Sequence, residues 1–267
     1  MGVVKVIVAG ASGRMGQETV RALTSSAEFE VVAAVDKLGI GESVRDFAGA
    51  NVPDIRIQGK LGETLDNVPC DVLIDFTHPS SAAANTLSAL KRSVAAVIGT
   101  SGLSSEDLSA IRAACLEHGK PALLVPNFAI GGVLLMRFAE IAAKWFPNVE
   151  IIELHHDGKA DSPSGTATRT AEIISENRET VPRGVVGAIE KYPGARGATV
   201  KGVHIHSVRL PGFVAHQEVV FGGQGEILTV RHDSIDRKSF MEGVKLACRE
   251  VHSLSGLTIG LDKLMFR

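Results

Sequence analysis

A chain of 267 residues with 45% hydrophobic and 22% charged side chains has room for two cores and the composition of a soluble globular protein. Its formal net charge of -2 gives no electrostatic reason to expect nucleic acid or an anionic membrane as a partner, and no apolar run is long enough to span a bilayer. Three widely spaced cysteines, Cys70, Cys115 and Cys248, show no metal-ligand spacing and fit a reducing cytoplasm.

The opening MGVVKVIVAGASG is interrupted by Lys5 and runs straight into a glycine loop, so it reads as a first strand over 3–9 and not as a leader peptide. Further apolar runs at 31–35, 72–76, 94–98 and 122–125 alternate with helical patterns at 14–24, 81–91 and 105–118. Ser104 and Asp107 have the spacing of a capping box at the start of the last of these. Continuous apolar strands separated by helices predict a doubly wound α/β domain with a parallel sheet.

The loop after the first strand, Gly10-Ala11-Ser12-Gly13-Arg14-Met15-Gly16, precedes a helix. Glycines there permit a tight turn and let backbone N–H groups approach a pyrophosphate. The second strand ends at Asp36, about twenty residues on, where a carboxylate accepts hydrogen bonds from ribose hydroxyls. Strand, loop, helix and acid in that order predict a dinucleotide site. Asp36 repels a 2′-phosphate while Lys37 tolerates one, so NADH is the expected cofactor and NADPH the second choice. The later strands end in Thr77-His78-Pro79, Gly99-Thr100-Ser101 and Val125-Pro126-Asn127-Phe128, at the edge where ligands of open α/β sheets bind. His78 is left open between a cofactor contact and a loop residue.

A helix is expected over 132–146, with Leu135, Phe138, Ile141, Ala142 and Trp145 as its core face. Strands then follow at 149–155, 199–210, 214–222 and 226–232 with one helix between them, 166–175, and a hairpin turn at 222–225. The polar, proline-broken stretch 176–191 reads as a loop. This predicts a second α+β domain with an open mixed, mostly antiparallel sheet, and a last helix over 237–251 that returns to the first domain. The boundaries are 1–127 plus 238–267 for dinucleotide binding and 128–237 for the substrate.

The stretch ELHHDGKADSPSGTA, 153–167, gathers two histidines, a lysine and a Ser-Gly-Thr helix start. A helix N-terminus favours an anion, Lys159 adds a positive charge and a proton, and imidazole titrates near neutrality. His155 and His156 are adjacent on a strand, so at most one takes part directly unless the strand has ended. The set suits reduction of a small carboxylated substrate. It argues against a nucleotide-sensing regulator, which has no use for a proton relay, more than against another two-domain dehydrogenase acting on a semialdehyde or hydroxy acid. His204 and His206 share a strand face but show no third ligand, and no metal site is predicted.

The run 153–167 matches E-x-H-H-x-x-K-x-D-x-P-S-G-T-A throughout and, with Gly10–Gly16, Asp75-Phe76-Thr77, Gly99-Thr100, Asn127-Phe128 and Arg209-Leu210-Pro211-Gly212, resembles the 4-hydroxy-tetrahydrodipicolinate reductase family, formerly dihydrodipicolinate reductase. The resemblance implies an N-terminal Rossmann domain and a second domain whose sheet assembles a homotetramer. It also implies hydride transfer from NAD(P)H to a cyclic dicarboxylate in lysine and diaminopimelate biosynthesis. His155 is then the acid/base and Lys159 the proton donor. His156, Lys159, Gly165 and Thr166 hold the substrate carboxylates. Asp36-Lys37 stands where many members carry Glu-Arg, and Ser101 where many carry Thr.

Overall fold

Short apolar runs without alternation form the first sheet, because each strand is covered on both faces. In chain order these elements are β1 (Val4–Ala9), α1 (Arg14–Thr24), β2 (Phe29–Val35), α2 (Arg45–Ala48), β3 (Ile57–Gln58), α3 (Leu61–Asn67), β4 (Val72–Asp75), α4 (Pro79–Lys91), β5 (Ala95–Ile98), α5 (Ser105–His118) and β6 (Ala122–Leu124). The computed structural model describes residues 2–49, 52–182 and 186–266. It divides into one unit of Met1–Phe128 with Phe240–Arg267 and a second of Ala129–Ser239.

All strands of the first unit pair in parallel, in the order β12-β6-β5-β4-β1-β2-β3, where β12 (Leu257–Ile259) comes from the end of the chain. Val6, Ile7, Leu73, Ile74, Val97 and Ile98 are fully buried in it. Each contributes about 1.5–3 kcal/mol relative to exposure. Ser104 and Asp107 close the predicted capping box on α5, and left-handed Gly119 ends that helix.

The second unit holds α6 (Ile130–Ala143), β7 (Asn148–His155), α7 (Gly165–Asn177), β8 (Ala198–Val200), β9 (Val203–Arg209), β10 (Ala215–Gly223) and β11 (Glu226–Ser234). The sheet order is β11-β10-β7-β9-β8; only the β7–β9 pair is parallel, so the sheet is mixed and mostly antiparallel. One face packs Ile151, Ile205, Val219 and Phe221 against Leu135, Ala139, Ala171 and Ile174 of the two helices.

Several expectations are corrected. Phe138, Ile141 and Trp145 are 50%, 47% and 78% exposed, because the buried stripe of α6 runs through Leu135, Ala139, Ala142 and Ala143 instead. The strand expected over 199–210 is a hairpin, broken where Lys201 and Gly202 adopt positive φ of 50° and 76°. The helix expected over 237–251 is a 3-10 turn (Arg237–Phe240), α8 (Met241–Glu250) and a second 3-10 turn (Val251–Ser253); a short α9 (Asp262–Met265) follows β12. The loop over 176–191 begins after α7 ends at Asn177, and its residues 183–185 lie outside the described residues. Among the described residues no helix is long and apolar enough to cross a membrane.

Candidate active site

In the first unit the glycine loop leads from β1 to α1. Gly10 has φ 79°, and its amide donates to the Val35 carbonyl at 2.8 Å, tying the loop to the end of β2. A Cβ on Gly10 would lie 2.6 Å from the Phe76 oxygen and one on Gly16 2.1 Å from the Gly10 oxygen, so neither position accepts a side chain. Gly13 and Arg14 are exposed and Ser12 and Met15 half-buried, whereas Ala11 is buried. The leading amides of α1 have no intrahelical acceptor, which fits a pyrophosphate. Asp36 stands just past β2, where its carboxylate accepts the amides of Ser12 at 2.9 Å and Leu38 at 3.1 Å. It therefore lies against the glycine loop. Exposed Lys37 reaches the Ser81 hydroxyl at 3.4 Å.

Asp75, at the end of β4, is 1% exposed and organises the neighbouring strand ends. Its carboxylate accepts the amide and hydroxyl of Thr77 (2.9 and 2.7 Å), the Thr100 hydroxyl (3.0 Å) and the Asn85 amide (2.8 Å). Gly99 lies under Phe76, whose ring carbon would be 2.3 Å from an added Cβ. The Phe76 and Phe128 rings pack 5.5 Å apart. Ser101 and Pro126 are exposed and Asn127 half-buried, but Val125 is 1% exposed and has only its backbone to offer a ligand. His78 is the N-cap of α4, accepting the Ser80 amide at 3.4 Å.

In the second unit β7 ends at His155, so His156 has left the strand and alternation no longer turns the two imidazoles to opposite faces. Glu153, one pleat earlier, is fully buried. Its carboxylate accepts from His155 Nδ1 at 2.5 Å, from both Arg209 Nη atoms at 2.7 and 2.9 Å and from the Ser164 amide at 3.3 Å. Burial alone would raise its pKa, but the hydrogen bonds from His155, Arg209 and Ser207 outweigh burial and hold it at about 2. Parallel pairing of β7 with β9 sets Arg209 beside His155, 54 residues away in sequence but adjacent in the sheet. Arg209 also donates to the Asp161 carbonyl at 2.8 Å, bracing the loop that carries Lys159.

Lys159 Nζ donates to Asp161 at 2.6 Å, a hydrogen bond that lowers the Asp161 pKa. Ser164 caps α7 by accepting the Ala167 amide at 3.2 Å, which leaves Gly165 and Thr166 to open the helix. A Cβ on exposed Gly165 would meet nothing within 4 Å, so the fold itself does not demand glycine there. The second unit thus gathers His155, His156, Lys159, Gly165 and Thr166 on one strand end, one loop and one helix start.

Two family models meet end to end on the chain: dihydrodipicolinate reductase N-terminus over residues 4–128 and C-terminus over 131–265. The chain belongs to the dihydrodipicolinate reductase family. It is 48% identical over 262 residues to the 4-hydroxy-tetrahydrodipicolinate reductase of Bacillus cereus (strain AH187), covering 98% of each chain. It is also 48% identical over 261 residues to that of Bacillus anthracis (strain CDC 684 / NRRL 3495), again over 98% of each. The dipicolinate-bound dihydrodipicolinate reductase of Paenisporosarcina sp. TG-14 superposes with a TM-score of 0.86 at 39% identity, over 98% of this chain and 99% of that one. The amine dehydrogenase of Mycobacterium smegmatis, at 11% identity and TM-score 0.69, shares the fold alone.

As a member of the dihydrodipicolinate reductase family the chain is a nicotinamide-dependent oxidoreductase with a Rossmann-like first unit. Its cysteines offer no activated thiol: burial pushes Cys70 up to about 11 and Cys248 up to about 12 and raises Cys115. His206 pairs with Glu150 at 2.7 Å and His204 with Thr199 at 3.3 Å. Sequence reasoning assigned no role to Asp75, Glu153 or Arg209. A carboxylate inside an apolar run was the available signal for Asp75 and Glu153; Arg209 is legible only once the β7–β9 register is known.

Proposed function

We propose that this reductase passes a hydride from NADH, and less readily from NADPH, to C4 of 4-hydroxy-tetrahydrodipicolinate. Water is lost and tetrahydrodipicolinate forms, a step of lysine and diaminopimelate biosynthesis. The observation that carries this reading is the placing of two imidazoles, an ammonium and a helix start along residues 155–166, at the end of β7 and in the loop that leads into α7. That the Paenisporosarcina relative has dipicolinate bound supports a cyclic dicarboxylate as the ligand class.

The loop 10–15 holds the pyrophosphate by its amides, and Asp36 accepts the adenine-side ribose hydroxyls. Gly99, Thr100, Ser101 and the segment 125–128 hold the nicotinamide half. The cofactor, when bound, supplies the hydride. His156, Lys159, Gly165 and Thr166 hold the two carboxylates, and their positive ends offset the charge that hydride addition brings to the ring. His155 and Lys159 manage the protons, a role that contributes about 10²–10⁴-fold. The same reading makes the second unit's sheet the assembly surface of a homotetramer working in the cytoplasm. Exposed Ile227 and Leu210, 74% and 52% accessible, and three free cysteines support it.

The test is NADH oxidation with and without substrate generated in place by its synthase. Substrate-dependent oxidation is expected, with a lower KM for NADH than for NADPH. Lys159→Ala should lower kcat by about 10²–10⁴-fold with NADH affinity unchanged. Wild-type protein that oxidises no NADH when substrate is present would end the proposal.

A further inference from the structure

The reaction above gives Glu153 no role, yet a fully buried carboxylate is costly unless several donors meet it. Its donors come from three separate parts of the site: the His155 ring, the Ser164 amide that precedes Gly165, and, on β9, Ser207 with Arg209, which also braces the Lys159 loop through the Asp161 carbonyl. An ionised carboxylate only accepts, so the His155 nitrogen facing it must carry the proton.

We propose that Glu153 is the positioning residue of this site, fixing the proton of the His155 ring on Nδ1 so that Nε2 is the nitrogen presented to substrate. The inference rests on the reductase reading of residues 155–166 and extends it to a group that never touches the ligand. Arg209 is what keeps the carboxylate pointed. Its two nitrogens, 2.7 and 2.9 Å from the two carboxylate oxygens, hold the plane in which Oε2 meets the ring.

The geometry makes Glu153→Gln a sharp probe. An amide has one oxygen and Arg209 donates to both positions, but the Oε1 position also receives the Ser164 amide, which cannot reverse, so the oxygen settles there. The amide nitrogen then faces His155 and donates to Nδ1, driving the ring proton onto Nε2. Replacing the orienting carboxylate of a catalytic histidine by its amide elsewhere costs about 10⁴-fold in kcat through the wrong tautomer alone.

For a folded Glu153→Gln protein, kcat should fall by about 10²–10⁴-fold. Substrate KM should stay within about threefold, because the carboxylate-holding groups remain, and NADH affinity should not change. In wild-type protein labelled with 15N-histidine, the His155 signal, assigned by its loss in His155→Gln, should show the proton on Nδ1 and a bare Nε2 at pH 8. This second measurement stands even where Glu153→Gln fails to fold. A folded Glu153→Gln with kcat within about threefold of wild type, or a wild-type ring with Nε2 protonated and Nδ1 bare, overturns the inference. Wild-type protein without substrate-dependent turnover sinks the reductase reading instead, and the tautomer measurement still decides the role of Glu153.

Discussion

In the first unit a Cβ on Gly16 would lie 2.1 Å from a backbone oxygen, whereas in the second a Cβ on Gly165 would meet nothing within 4 Å. Each glycine sits in the first turn of a helix proposed to receive an anion, Gly16 third in α1 and Gly165 first in α7, but for opposite reasons. Gly16 is required by the chain's own packing, so the glycine loop reports the fold first and the ligand second. Gly165 keeps open a space that the protein does not fill. The units differ in the same way over charge. Asp36 at the first site is half-buried and partnered by amides, while the second site is built on the fully buried, doubly held Glu153.

Gly16→Ala tests the packing half of this contrast and should have the largest effect. The added methyl must displace the Gly10 carbonyl or α1, and overpacking of this kind costs about 3 kcal/mol or more. A lower thermal midpoint and lost NADH binding are expected; an unchanged midpoint with full NADH affinity would break the comparison. Next comes acid. The Glu153 pKa lies at about 2 against an ordinary 4.5, so its contribution is complete above pH 4.5 and is lost as pH falls towards 2. That contribution is about 3 kcal/mol, and Glu153→Gln should remove this part of the acid sensitivity in urea titrations between pH 5 and 2.5. The smallest effect on stability belongs to Gly165→Ala, within about 0.5 kcal/mol of wild type, while substrate KM rises about tenfold. A Gly165→Ala protein that melts early would place this glycine with Gly16.

The first unit was largely legible because its signals are local: continuous apolar strands, a glycine loop and an acid at the next strand end. What escaped there was short. The two residues of β3 and three of β12 carry no periodicity, and each is held by pairing with one neighbour, β2 and β6 respectively. In the second unit the wide apolar stripe of α6 fits two helical faces, and only packing decides that Leu135 goes in and Phe138 stays out. The histidines, Lys159 and Ser-Gly-Thr were legible as reactive types crowded together. Glu153 was not, because its meaning depends on an arginine brought from β9 by register.

The return of the chain to complete the first sheet has a consequence for synthesis. Strand β6 can pair with β5 as soon as residue 124 is made, but its other edge waits for Leu257–Ile259. The second unit, continuous from Ala129 to Ser239, is wholly translated before then and can fold while that edge is still bare. On the ribosome, the part of the protein that comes first in sequence is therefore the last to be finished, and an unpaired strand is exposed for as long as the intervening unit takes to emerge.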